Sequence, residues 1–212
     1  AVRELAASGA GRPAELAAIA RRQAGLVPEA PPVPAYGAEH SDAYRALVQD
    51  RDDLVSSLQR LASVARSTTP VVRLLDAADA ALAVRPTSLA PFGLQSDGSA
   101  LRATVVAGMT DVLDRFRAVP VPKGHEQVAR SVESALSHVI TEASALADRL
   151  DRGSGGSLAY ATEYASALRA VEDDRTRVSG DLQEALDAVI GTSELAPGPD
   201  SGPATPKPGQ DV

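Results

Sequence analysis

The sequence predicts an all-α fold: an antiparallel up-and-down bundle of four to five long helices. It adds a short tethered N-terminal helix and a disordered C-terminal tail. Three observations lead there. Apolar residues make up 44% of the 212-residue chain and are mostly Ala, Leu and Val, while aromatics are only 3%. Ala gives up no side-chain entropy in a helix and Leu gives up little, whereas a β-sandwich wants β-branched and aromatic residues. Apolar positions also recur every third or fourth residue, and short Pro/Gly-rich stretches divide the periodic segments.

Taken in order, residues 13–24 read as a short helix, with Pro13 at a first helical position and Gly25 as its stop. Pro28, Pro31, Pro32 and Pro34 then make an extended linker, so the N-terminal helix of residues 1–27 is tethered through residues 28–40. A bundle domain is expected over 41–190. Its first helix spans about 42–66, with Tyr44, Leu47, Leu54, Leu58, Leu61 and Ala65 on one stripe. Thr69–Pro70 is a fresh start signal, so the segment to about 84 is either a separate helix or the same one kinked.

Residues 85–98 form a loop. A helix over 99–118 turns Leu101, Val105, Met109, Val112, Leu113 and Phe116 inward. After the rigid connector 119–124, Pro122 is expected to open the next helix, to about 151. Its stripe is Val128, Val132, Leu136, Val139, Ala143, Leu146 and Leu150. The last helix covers about 158–190, with Leu158, Ala161, Leu168, Val171, Val178, Leu182, Leu186 and Ile190 inward. Gly180 interrupts it, and Asp181 and Glu184 have capping-box spacing for a restart. Residues 191–212 are rich in Pro and Gly and poor in large apolar side chains, so they cannot offset their ordering entropy.

The formal charge of −7 argues against nucleic acid and anionic lipid as partners, because both need cationic side chains. No stretch of about 18 apolar residues exists to span a bilayer. Cys is absent, which removes disulfides, thiolate metal sites and a Cys nucleophile together. Arg supplies nearly all the basic residues, Lys123 and Lys207 being the only lysines, as in Ala-rich chains from GC-rich genomes. The absence of an initiating Met adds to an expectation of a processed, surface-located bacterial protein.

Known chemical patterns fail one after another. Ferritin-like metal sites need Glu-x-x-His, and none occurs among His40, His125 and His138. His138 and Glu142 share a helix face and form the one candidate ligand pair, with a polar surface pair as the plainer reading. The stretch opening at Asp151 has EF-hand length but places Gly153, Gly155 and Thr162 where oxygen ligands belong. No P-loop and no Gly-x-Ser-x-Gly is present. The acidic runs Asp50, Asp52, Asp53 and Glu172, Asp173, Asp174 read as solvated faces. No catalytic residue, metal or cofactor is expected.

Leu89, Phe92 and Leu94 sit in a Pro/Gly loop, where apolar residues either cap a bundle or meet a partner. Tyr160 and Tyr164 form a second apolar face, with core packing the expected use. The expected function is therefore contact: a non-enzymatic interaction or scaffold protein, with a protein partner or self-association and a bacterial cell envelope as one setting. A ligand-binding bundle would instead show a sizeable pocket between helices. An enzyme would show a buried carboxylate or His with a hydrogen-bonded partner.

Overall fold

The computed structural model describes residues 12–30, 42–90 and 97–194, with side chains to 192. Among these residues the chain is an all-α bundle with five helices and no strand. They are α1 (Pro13–Leu26), α2 (Asp42–Ala83), α3 (98–117), α4 (Glu126–Asp151) and α5 (Ala161–Glu194). A 3₁₀ turn, Pro86–Leu89, lies between α2 and α3. None of the described helices is long and apolar enough to cross a membrane. The linker beyond residue 30, Phe92, Leu94, His40 and the tail beyond 194 lie outside the described residues.

Of the two alternatives expected at Pro70, the single helix holds: Pro70 lies inside α2, while two other expected boundaries differ. Pro70 faces water, so the Arg66 carbonyl that loses its helical donor can be solvated, which limits the usual cost of an internal proline. Gly180 and Gly191 lie inside α5, and the capping box at Asp181 is not used. A buried stripe on both sides of Gly180 outweighs a glycine penalty of about 1 kcal/mol. Pro122 does not open α4. Gly124 adopts φ +90°, a left-handed conformation that ends the turn, and the helix starts at Glu126.

Two compact units make up the chain. In the first, α1, the α2 stretch 42–65 and the α5 stretch from Leu182 pack around Leu16, Ala20, Leu61, Ala65, Leu186 and Val189. Arg60 and Glu184 pair across it at 3.4 Å. Arg51 Nε donates to the Pro28 carbonyl at 2.8 Å, tying the chain after α1 to α2.

The second unit, residues 66–181, holds α3, α4 and the adjoining stretches of α2 and α5. Its core runs through Leu74, Leu82, Met109, Val132, Leu136, Leu146 and Tyr164. Asp97 caps α3, its carboxylate accepting from Ala100 N–H at 2.6 Å. Arg102, in a π-helical turn of α3, reaches Asp148 and Asp151 of α4 at 2.5 and 2.7 Å. Those two carboxylates raise the Arg102 pKa, Asp151 contributing more than Asp148. The Tyr164 hydroxyl donates to the Val84 carbonyl at 3.2 Å, and its ring meets Tyr160 edge-on with centroids 5.3 Å apart.

Most of the expected stripes are buried, with three exceptions, one of them Ala161, which is exposed. Leu47 and Leu168 were expected inward but are 52% and 38% exposed. Leu168 sits next to Ala167, which takes the buried position in its place.

Candidate functional site

The chemistry of the second unit concentrates where the α4 N-terminus meets the middle of α5. His125 occupies the N-cap position of α4, where Ser or Asp would normally bond the helix amides. Its ring makes no cap bond. Instead Nδ1 lies 2.5 Å from Oδ2 of Asp174 on α5. Next to it, Glu126 turns back and accepts the Gly124 N–H at 3.0 and 3.1 Å. Its own N–H and that of Gly124 hold the Glu126 carboxyl below its ordinary range.

Asp174 corrects the expectation of a solvated acidic run. Glu172 and Asp173 are exposed, but Asp174 is only 5% exposed. It lies three residues after Val171 and four before Val178, both buried, so it falls on the apolar stripe of α5. A buried carboxylate is costly unless it is paired. Here Oδ2 accepts from His125 and Oδ1 accepts from Arg177, one helical turn on.

This arrangement sets the histidine's proton. An ionised carboxylate can only accept, so this short contact places a hydrogen on Nδ1, and Arg177 Nη2 lies 3.4 Å from the same nitrogen. Among the described residues Nε2 makes no hydrogen bond, and no buried side-chain nitrogen lacks a partner, so Nε2 reaches solvent. The ring lines a cleft of about 310 Å³ together with Gln127, Val128, Asp173 and Arg177. The Arg177 side chain is 56% exposed; its Nη2 bonds Asp174 and lies 3.4 Å from His125 Nδ1, and among the described residues its Nε and Nη1 make no bond.

His138 engages through its other ring nitrogen. Its Nε2 donates to the Ala159 carbonyl at 3.1 Å and lies 3.6 Å from Glu163 Oε2. Its ionic neighbour is thus Glu163 of α5, while the expected companion Glu142 is half-buried on α4 and makes no bond to it. No group of three or more His, Asp or Glu side chains converges to hold a metal ion among the described residues.

Of the loop residues, Leu89 packs against the core of the second unit and over Gly108. Asp52 and Asp53 are exposed, bonded to Arg51 and Gln49 at 2.6 and 2.9 Å.

Comparisons with protein-family models, curated proteins and solved structures found no match.

Proposed function

We propose that this chain works by contact, as an interaction or scaffold bundle that associates with copies of itself. One observation carries the reading: the apolar stripe of α2 continues past the part that packs. Leu58 and Leu61 are buried and Leu54 is half-buried, yet Leu47 is 52% exposed. Leu26 at the end of α1 is 67% exposed, and the Arg51–Pro28 bond fastens that end to α2 one turn from Leu47. Covering a large aliphatic side chain is worth ~1.5–3 kcal/mol, so a second surface seated here is favoured. Sedimentation of the full chain over a range of concentrations tests the reading. A self-association that Leu47→Glu weakens by about tenfold or more supports it. Wild-type chain that stays monomeric at the highest concentration contradicts it.

A second reading, a site assembled across helices that does chemistry, is favoured by the buried Asp174 bonded to His125 beside a cleft. Its check is the ¹⁵N spectrum of the His125 ring. A proton on Nδ1 supports it and a proton on Nε2 sinks it.

A further inference from the structure

We propose that His125 is the general base of a hydrolytic site for small carboxylic esters, an inference that rests on the second reading above. Three features on one cleft carry it. Nδ1 is committed to the buried Asp174, which holds the imidazole in one orientation and one tautomer. The ring lines the cleft, and among the described residues its Nε2 makes no hydrogen bond. Arg177 brings unengaged N–H donors to the same cleft. Val128 and Ala170 supply apolar lining to this cleft of about 310 Å³, room for a small ester.

The demands of ester hydrolysis match this set. One proton must leave water, and one negative charge grows on the carbonyl oxygen. Nε2 takes the proton of a water molecule as the water oxygen bonds to the carbonyl carbon. The carbonyl π electrons move to oxygen, and the Arg177 guanidinium balances that charge. When the tetrahedral adduct collapses, the C–O bond to the alcohol breaks. The leaving oxygen takes the proton from Nε2, giving an alcohol and a carboxylic acid and restoring the neutral ring. Asp174 touches no substrate. It is a positioning residue that keeps the second proton on Nδ1 and stabilises the transient imidazolium.

The test uses the full chain with p-nitrophenyl acetate as the probe ester. Wild type is expected to turn it over with a rate that rises with pH to a plateau. His125→Gln is expected to lower that plateau by about a hundredfold or more, and His138→Gln to leave it in place. Asp174→Asn is expected to keep its helix content, move the ring proton to Nε2 in the ¹⁵N spectrum, and lower the plateau by about a hundredfold or more. Carbethoxylation of the wild-type protein gives a check that needs no variant: turnover should fall in step with modification of His125. Equal turnover in wild type and His125→Gln, or turnover that survives full modification of His125, overturns the proposal. An Nδ1-protonated ring with no ester turnover overturns the ester chemistry alone. A proton on Nε2 in wild type overturns the second reading with it.

Discussion

Asp174 Oδ2 and His125 Nδ1 lie 2.5 Å apart, joining the middle of α5 to the residue that precedes α4. A carboxylate 5% exposed depends on such a partner. His125→Ala removes one of its two partners and is predicted to cost about 1–3 kcal/mol in urea unfolding. A cost below about 0.3 kcal/mol would mean that Arg177 alone satisfies Asp174.

Tyr164 gives a pH dependence with a definite sign. Burial pushes its hydroxyl up to about 12, against an opposing pull from Arg85. The folded state thus holds this proton more tightly than the unfolded chain, whose Tyr titrates near ~10. The stabilisation is fully present below that pH and is lost as pH rises towards the folded value, by about 2–3 kcal/mol in all. Unfolding free energies across this alkaline window should fall for wild type and fall less for Tyr164→Phe. Parallel curves for the two proteins would remove Tyr164 as the cause.

Two glycines should respond in opposite directions to the same change. A Cβ on Gly98 would run into the Ala147 carbonyl and the Asp151 carboxylate, where α3 meets α4. Gly98→Ala is predicted to destabilise by about 1–3 kcal/mol. Gly180 lies inside α5 with nothing within 4 Å of such an atom. Gly180→Ala is predicted to stabilise by about 0.5–1 kcal/mol. Thermal melts of both variants decide, and equal shifts would contradict the close α3–α4 approach.

Leu136 is fully buried at the centre of the second unit. Leu136→Ala is predicted to cost about 2–5 kcal/mol through the cavity it leaves. Leu168→Ala, at a site 38% exposed, should change stability by less than about 0.5 kcal/mol. Similar costs for both would mean that α5 is rotated about its axis.

The helical fold was legible because its signal is repeated many times. In α3 every expected inward residue, from Leu101 to Phe116, is buried. In α4 the stripe from Val128 to Leu146 is buried and Leu150 half-buried. Punctuation misled where a single residue stood against many: Gly180 and Gly191 are both carried by a helix whose packing outweighs them. The His125–Asp174 contact was less visible because its members are 49 residues apart. One half of it could have been found. A carboxylate spaced three and four residues from Val171 and Val178 occupies a core position, and grouping it with Glu172 and Asp173 as one charged run hid that. The periodicity also shows where the apolar stripe of α2 lies, but not where its covering ends. Leu47 is exposed because that depends on which neighbours reach it.

Contact through the exposed end of the α2 stripe is the central claim, and amide hydrogen exchange of the full chain at low and high concentration tests it most directly. Peptides covering Leu47 and Leu26 should exchange more slowly at high concentration, while those covering Leu136 stay unchanged. Exchange around Leu47 that is independent of concentration would contradict it.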